Sequence, residues 1–276
     1  MNQPTNNNLL DLLRSPDFDL IGPHLKNFAA PSNHILYNPG QTVSTVYFPC
    51  GPTLASFVIS TEDGGAVETM LVGREGAVGG IVSQGKLPSF SRIMVQFGGT
   101  FLTLPISVLD NMKQQSRSLD NIFARYADCI LAQIFQSTAC NAAHTIEQRT
   151  AKWINAAIDR TGDARVPLTQ ERLAALLGVG RSYISRVIGS LKDQGILSVS
   201  RGSLLVQNRE RLAKRSCGCN EAVKQHFHLV LKGVYPAENE LFSASLPHSA
   251  PTVPASTPPV GTNILPSKQS ELGRLK

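Results

Sequence analysis

The segment from Leu168 to Gln194 constrains the fold more than any other part of the chain, because it combines two short amphipathic patterns with glycines between them. Thr169 is a favourable N-cap for a first helix, and Gly178 can adopt the left-handed conformation that ends it. A second helix is predicted to begin near Gly180. The first helix has an apolar stripe at helical spacing, formed by Leu173, Leu176 and Leu177.

The second helix has two faces of different chemistry. Its apolar positions are Ile184, Val187, Ile188 and Leu191. Its polar and basic positions lie on the opposite side, at Arg181, Ser182, Ser185 and Arg186. Two short helices joined by a glycine turn, with a basic outer face on the second, predict a helix-turn-helix that binds DNA. The alternative is a helical hairpin whose arginines only contact water.

The residues that follow favour the DNA-binding interpretation. Ile196 to Val199 and Leu204 to Val206 are β-prone, and the turn between them predicts a two-stranded wing with Arg201 at its tip. The chain has a net charge of +6, and residues 165–215 contain ten Lys and Arg against three Asp and Glu. Such a region attracts phosphate through counterion release, so double-stranded DNA is the expected partner.

Length and composition limit the class of protein. The 276 residues suffice for two domains and further segments, and a hydrophobic content of 42% supports packed cores. No apolar run approaches the ~20 residues that a membrane span needs, and the N-terminus lacks the features of a signal peptide. The five cysteines are odd in number and irregularly spaced, which argues against a disulfide framework. We expect a cytoplasmic protein with no membrane partner.

The N-terminal part is predicted to contain short helices followed by strands. Leu9 to Leu13 and Phe18 to Phe28 suggest helices, and Pro31 breaks the pattern. The β-prone runs that follow are Ile35 to Tyr37, Thr45 to Phe48, Thr53 to Ser60, Ala66 to Val72, Arg92 to Phe97 and Thr100 to Leu104. Strands at this spacing, with no helix between them, predict a small antiparallel barrel or jelly roll.

From about Ser118 the apolar period becomes helical. The stripe consists of Leu119, Ile122, Phe123, Tyr126, Ile130 and Ile134. A helix from Ser118 to His144 is ~40 Å long at about 1.5 Å per residue, and it lies between two compact domains that offer little chain to cover it. The stripe is therefore expected to pack against its copy in a second subunit, which makes the protein a homodimer. The alternative is a helix buried entirely on its own barrel.

The predicted fold class is α+β: an N-terminal antiparallel β-barrel or jelly roll, a long dimerisation helix and a C-terminal winged helix-turn-helix. Ala151 to Ile158, with Trp153, is expected to cover the DNA-binding domain, and a further helix is expected from Arg209 to Leu231. The expected divisions are a sensor barrel in 1–117, the dimerisation helix in 118–144, the DNA-binding domain in 145–215, a helical extension in 216–235 and a disordered tail in 236–276.

The order of these parts resembles the Crp/Fnr family of bacterial transcription regulators, which combine a barrel of the cyclic-nucleotide-binding type with a long dimer helix and a winged helix-turn-helix. The resemblance covers about Leu9 to Arg215. It is strongest in Leu168 to Leu197, where Leu-Thr-Gln-Glu, Leu-Gly-Val and Ser-Arg-Val-Ile look like the family signature.

The resemblance implies a role for each exposed position of the helix-turn-helix. Family members contact base edges at the positions of Arg181, Ser182 and Arg186. They contact backbone phosphates at the positions of Thr169, Gly180 and Tyr183. A guanidinium can hold guanine O6 and N7 with two hydrogen bonds. Several relatives have a Glu in place of Ser182, so their preference for cytosine is not carried over. Tyr183 is bulkier than the usual residue and either stacks or clashes.

The barrel departs from the nucleotide-binding pattern. In nucleotide-binding members of the family a Gly-Glu pair holds the ribose hydroxyl, and an Arg followed by a small hydroxyl residue holds the cyclic phosphate. Here Gly79 and Gly80 stand in place of Gly-Glu, and Ile93 follows Arg92. A cyclic nucleotide is therefore not expected. Gly79, Gly80 and Arg92 are candidate ligand-binding residues, and Arg92 either contacts an anionic ligand or is only a surface residue on a strand. An iron-sulfur sensor is not expected either, because the first cysteine, Cys50, stands alone.

Two thiols and two imidazoles near the C-terminus form a candidate metal site, namely Cys217, Cys219, His226 and His228. Their spacing matches no common zinc module. The alternative is a helix that packs Val223, Phe227, Leu229 and Leu231 against the DNA-binding domain. No cofactor is assigned from the sequence. An enzyme is not expected, because no nucleophile-base arrangement, metal-binding barrel pattern or phosphate-binding glycine loop occurs.

The sequence thus predicts a homodimeric, sequence-specific transcription regulator that binds an inverted repeat with half-sites about one helical turn apart. RNA polymerase is a further candidate partner, and a ligand in the barrel is a candidate signal that rotates the DNA-binding domains about a hinge before Trp153. Two alternatives stay open. One is a constitutive DNA binder with a degenerate sensor barrel, and the other is a metal or redox sensor that uses the C-terminal Cys and His residues.

Overall fold

The computed structural model describes residues 4–62, 64–81 and 84–235, so the predicted disordered tail lies outside the described residues. The N-terminal region contains α1 (Asn8–Asp11), α2 (Ser15–Ile21), a 3-10 turn (Gly22–His24) and β1 (Lys26–Ala30). The predicted helix from Phe18 to Phe28 is wrong after Ile21. Pro23 disfavours continuation of the helix, and Lys26–Ala30 instead pairs with residues 99–103 in an antiparallel ladder.

The predicted strands form two antiparallel sheets around a common core. They are β2 (Ile35–Tyr37), β3 (Thr45–Pro49), β4 (Leu54–Ser60), β5 (Ala66–Val72), β6 (Arg92–Phe97) and β7 (Gly99–Pro105). The sheet orders are β1-β7-β3 and β2-β6-β4-β5. Side chains alternate across each strand, and the fully buried ones include Val46, Phe48, Val95 and Phe101. The predicted antiparallel barrel or jelly roll is confirmed.

Two helices follow the barrel, α3 (Ile106–Gln115) and α4 (Arg117–Ala143). The Ser116 side chain caps α4 by accepting a hydrogen bond from the backbone N–H of Leu119, at 3.3 Å. The predicted long helix is confirmed. No helix in the described part of the chain is long and apolar enough to cross a membrane.

The apolar stripe of α4 packs within its own chain, which corrects the expected dimer contact. Leu119, Phe123 and Tyr126 are fully buried in the barrel core, and Ile122 and Ile130 are partly buried against it. Ile134 is the exposed member of the stripe. The 3.6-residue period identified an apolar face correctly, but the barrel covers most of that face. A different surface of α4, which includes Leu131 and Phe135, remains exposed.

The C-terminal half begins with α5 (Ile146–Thr161), which starts at a capping box between Thr145 and Gln148 and ends at Gly162 in the left-handed conformation. The winged helix-turn-helix then comprises β8 (Arg165–Val166), α6 (Gln170–Leu177), α7 (Arg181–Asp193), β9 (Leu197–Ser200) and β10 (Ser203–Val206). The wing is a three-stranded sheet in the order β8-β10-β9. No sequence pattern indicated β8, which is only two residues long.

The predicted helix from Arg209 to Leu231 is divided into α8 (Arg209–Arg215) and α9 (Cys219–Val230). The extended backbone of Ser216 interrupts it. Helix α9 packs Val223 and Phe227 into the core formed by the barrel and α4, whereas Leu229 is 81% exposed. The expected packing of this segment against the DNA-binding domain is therefore wrong, because its main contact is with the barrel and α4.

Candidate nucleic-acid interface

The helix-turn-helix is built by the local signals that its sequence carries. The Thr169 hydroxyl accepts a hydrogen bond from the backbone N–H of Arg172 at 3.1 Å, which caps α6. Gly178 has φ of 67° and ends α6 in the left-handed conformation, and the backbone N–H of Val179 donates to the Ala174 carbonyl at 3.0 Å. Helix α7 buries the predicted apolar face: Ile184, Val187, Ile188 and Leu191.

The opposite face of α7 is open to solvent. Arg181, Ser182, Tyr183 and Arg186 are exposed. The Arg186 guanidinium lies over the Tyr183 ring, 5.0 Å from its centroid, so the bulky Tyr183 stacks with its neighbour. This contact restricts the arginine side chain before any ligand arrives.

The remaining candidate DNA-contacting residues also lie at the surface. Thr169 and Gly180 are exposed at the start of each helix. Arg201 is exposed at the tip of the wing, where Ser200 pairs with Ser203 across the turn. The side chain of Ser185 is half-buried and bonded to Gln170 across the turn, with 2.9 Å between Ser185 Oγ and Gln170 Oε1. Ser185 therefore joins α6 to α7.

The barrel contacts the DNA-binding domain directly, and no sequence motif indicated this contact. The indole N–H of Trp153, on α5, donates to Glu68 Oε1 on β5 at 2.7 Å, and the Trp153 ring meets Phe97 edge-on at 6.3 Å between centroids. Arg172, on α6, contacts Gln96 and Met94 on β6. Trp153 thus joins α5 to the barrel in addition to packing over the helix-turn-helix.

The glycine-rich segment after β5 makes a second contact with α5. Glu75 and Arg160 form an ion pair at 3.0 Å, and each side chain is only 2% exposed. The Glu75 carboxylate also accepts hydrogen bonds from the Gly73 backbone N–H. Burial raises the pKa of Glu75, and the nearby Arg160 opposes that shift. A Cβ at Gly73 would lie 2.6 Å from Arg160 Cβ, so only glycine permits this approach.

The three candidate ligand-binding residues lie beside two different sheets. A Cβ at Gly79, where φ is 109°, would lie 2.4 Å from the Thr45 carbonyl oxygen of β3. A Cβ at Gly80 would lie 2.8 Å from Ile106 Cδ1, so a larger side chain there must displace Ile106. Arg92 begins β6, in the other sheet, and its Nε has no hydrogen-bond partner among the described residues.

A small polar cavity lies where β5, α4, α5 and α9 meet, with a volume of about 50 Å³. Its polar lining includes Glu68, Gln133, Arg149, Lys152, Arg160 and Asn220. Cavities that hold drug-sized ligands measure roughly 300–1,000 Å³, so this one has room for water but not for a nucleotide. Gly79, Gly80 and Arg92 do not line it.

The structure changes the membership of the candidate metal site. Cys217 and Cys219 lie beside Cys140 and His144, and the four ligand atoms are within 4.8 Å of one another. His226 and His228 do not belong to this group. At about 1.5 Å of rise per residue along α9, His226 lies roughly 10 Å from Cys219. His226 is therefore too far away to bind the same ion as Cys219. Distance along the chain concealed Cys140 and His144, which no local motif connects to the C-terminal thiols.

Comparison with known proteins supports the assignment of a helix-turn-helix to the C-terminal half. Residues 148–215 match the Crp-like helix-turn-helix domain family. The structure of FixK2 from Bradyrhizobium japonicum is 16% identical, with a TM-score of 0.59, over 70% of this chain and 98% of FixK2. A CRP-family transcriptional regulator from Thermus thermophilus is 16% identical, with a TM-score of 0.58, over 69% of this chain and 96% of that protein.

The c-di-GMP responsive global regulator CLP of Xanthomonas campestris has the same fold, with 14% identity and a TM-score of 0.54, over 70% of this chain and 99% of CLP. No curated protein sequence matches the chain. Together, the comparisons show a Crp-like helix-turn-helix domain within the fold of Crp/Fnr-type transcription regulators. Residues 148–215 form a Crp-like helix-turn-helix domain, the chain has the fold of Crp/Fnr regulators, and the predicted resemblance and α+β fold class are confirmed.

Proposed function

We propose that this protein is a homodimeric, sequence-specific regulator that binds an inverted-repeat operator through α7. The observation that carries the proposal is the exposed face of α7, where Arg181, Ser182 and Arg186 are accessible while the opposite face is buried in the domain core. In this proposal residues 1–117 sense a signal, 118–144 dimerise and 145–215 bind DNA.

The exposed residues divide by the part of DNA that each can reach. Arg181, Ser182 and Arg186 contact base edges in the major groove, where an arginine can bind guanine with two hydrogen bonds. Four further residues contact the phosphate backbone: Thr169, Gly180, Tyr183 and Arg201. Phosphate contacts position the protein, whereas base contacts specify the sequence, so the two groups have separable effects.

Dimerisation through α4 is supported by the apolar surface that its own chain leaves exposed. Leu131, Ile134 and Phe135 are 50%, 37% and 69% exposed, and their spacing of three and four residues places them on one face of the helix. Ala124 and Thr138 are also exposed and extend this face at heptad spacing. A second copy of α4 presents the same face, so a two-fold pairing covers both.

Control of DNA binding by the barrel is supported by the direct contacts between the barrel and α5. A signal that alters β5 changes the surroundings of Trp153 through the Glu68 hydrogen bond. A ligand shifts such an equilibrium only by its differential affinity for the two arrangements. RNA polymerase is the proposed protein partner of the DNA-bound dimer. A constitutive DNA binder remains the second candidate, because Gly80 lacks the carboxylate that anchors a cyclic nucleotide.

Selection of bound sites from random duplex DNA tests the proposal. The purified protein is used without ligand, with cyclic AMP, and at two salt concentrations. A palindromic motif enriched equally with and without the nucleotide supports the proposal and rejects control by cyclic AMP. Enrichment that requires cyclic AMP contradicts our interpretation of Gly80, and the absence of any enriched motif contradicts ligand-free sequence-specific binding. The Arg181→Ala, Arg186→Ala double variant is the control and must lose the enrichment.

A further inference from the structure

We propose that Cys140, His144, Cys217 and Cys219, hereafter the Cys₃His cluster, bind one zinc ion. Cys140 lies in the last turn of α4, and His144 is the C-cap of that helix. Cys217 and Cys219 lie on either side of Gly218, where α8 gives way to α9. Three thiols and one imidazole are a ligand set of structural zinc sites.

The distances within the cluster suit a single tetrahedral ion. Cys140 Sγ and Cys217 Sγ are 3.6 Å apart, and Cys219 Sγ is 3.5 Å from His144 Nδ1. Zinc bonds of about 2.3 Å to sulfur and 2.0–2.1 Å to nitrogen give tetrahedral edges of about 3.8 Å between two sulfurs and about 3.6 Å between sulfur and nitrogen. These two separations are within a few tenths of an ångström of the tetrahedral edges, and all four ligand atoms lie within 4.8 Å of one another, so a small contraction brings them onto one ion.

The environment of the cluster also favours a metal over an ordinary core of thiols. Cys140, Cys217 and Cys219 are 0%, 7% and 5% exposed, yet they form a group of their own, separate from the two large apolar clusters of the molecule. The Gln136 side chain donates an N–H to Cys219 Sγ at 3.1 Å, a hydrogen bond that stabilises a metal-bound thiolate. Cys219 also begins α9, where the helix dipole favours negative charge.

The ligand set selects zinc among the metals that proteins bind. Thiolates favour soft or borderline ions such as Zn²⁺ and Cu⁺, and four protein ligands close a tetrahedral zinc site with no open position. An iron-sulfur cluster distributes its protein ligands over more than one iron, whereas these four ligand atoms lie within 4.8 Å of one another, an arrangement that suits a single ion. Binding replaces three S–H protons: Zn²⁺ displaces three H⁺, and the resulting site has a net charge of −1.

The position of the cluster gives the metal a structural consequence. His144 immediately precedes Thr145, the N-cap of α5, so the cluster lies at the junction between α4 and α5. Zinc would join this junction to α9 and, through Cys217, to the end of α8. The ion thereby fixes the hinge that carries the DNA-binding domain. This last consequence rests on the proposed function, whereas binding of zinc does not.

Elemental analysis of untagged protein, purified without chelators, tests the site. The expected result is roughly one zinc per chain in the wild type and at least about a tenfold loss in the Cys217→Ser, Cys219→Ser double variant. Cys50→Ser and His228→Ala are matched controls, because both residues lie outside the cluster, and they must retain the wild-type zinc content. Equal zinc in the double variant and the wild type would overturn the proposal.

A second measurement covers the case in which the double variant does not fold. Wild-type protein is treated with a chelator and titrated with Co²⁺, and the expected spectrum has the intense visible bands of a tetrahedral site with thiolate ligands, which Zn²⁺ then abolishes. Absence of these bands, or a Cys140–Cys217 disulfide in protein purified under reducing conditions, contradicts the site. DNA binding is assayed separately, so zinc-loaded protein that selects no DNA sequence would refute the proposed function but not the metal site.

Discussion

Glu68→Gln is predicted to remove a pH-dependent loss of stability that originates between the barrel and α5. Glu68 Oε1 accepts the Trp153 indole N–H, whereas Oε2 is buried without a hydrogen-bond partner among the described residues. Burial raises the pKa of the Glu68 carboxyl to about 8, against the opposing charges of Lys152, Arg160 and Arg172. The native protein therefore holds this carboxyl protonated at neutral pH.

The sign and size of the effect follow from the two pKa values. The ordinary value is 4.5, so below that pH the side chain is protonated in both the folded and the unfolded chain. Between pH 4.5 and about 8 the unfolded chain ionises and the native chain does not, so stability falls as the pH rises and then levels off. By pH 7 the loss spans about 2.5 pH units, or roughly 3 kcal/mol at 1.36 kcal/mol per unit.

Urea unfolding at several pH values between 5 and 8 measures this loss, and the fluorescence of Trp153, the single tryptophan of the chain, reports on the contact itself. The glutamine side chain has nearly the same shape, can still accept the indole N–H and does not titrate. The wild type is expected to lose stability relative to Glu68→Gln as the pH rises. Glu171→Gln, at an exposed position in the first turn of α6, is the control. Parallel pH profiles for the wild type and Glu68→Gln would refute the reasoning.

Three further predictions concern DNA binding, the ion pair and the dimer. Arg186→Ala should relax base preference at one position of each half-site, at a cost of ~1–3 kcal/mol in a competition assay against operator variants. Arg201→Ala should instead weaken binding to DNA of every sequence and flatten the salt dependence of that binding. An equal loss of affinity for all operator variants in Arg186→Ala would mean that Arg186 contacts a phosphate and not a base. Arg160→Met should destabilise the fold by ~3–5 kcal/mol in urea, because it leaves the buried Glu75 without its partner. The double variant Arg160→Met, Glu75→Leu should recover much of that stability. If the losses of the two single variants simply add in the double variant, the ion pair does not contribute as argued. If the protein pairs through α4 as proposed, Phe135→Glu should convert the proposed dimer to a monomer in sedimentation experiments while leaving the fold intact by circular dichroism. An unchanged mass would exclude this face of α4 as the dimer contact.

Part of this molecule could be predicted from the sequence because its signals are local. The N-cap Thr169, the left-handed Gly178 and the buried face of α7 all lie within one short segment, and capping and helical periodicity act over a few residues. The strands of the barrel were likewise marked by β-prone runs between turn residues. The exposed basic face of α7 follows directly from the same periodicity.

Tertiary structure decided which surfaces meet. Helical periodicity showed that α4 has an apolar face, but a period does not identify the partner that covers it, and here the partner is mostly the barrel of the same chain. The strand β1 depends on pairing with residues about seventy positions away. The Cys₃His cluster joins residues 140 and 144 to residues 217 and 219, and the Glu68–Trp153 contact joins two domains. Such contacts depend on how separate elements pack together, which local propensity and spacing do not determine.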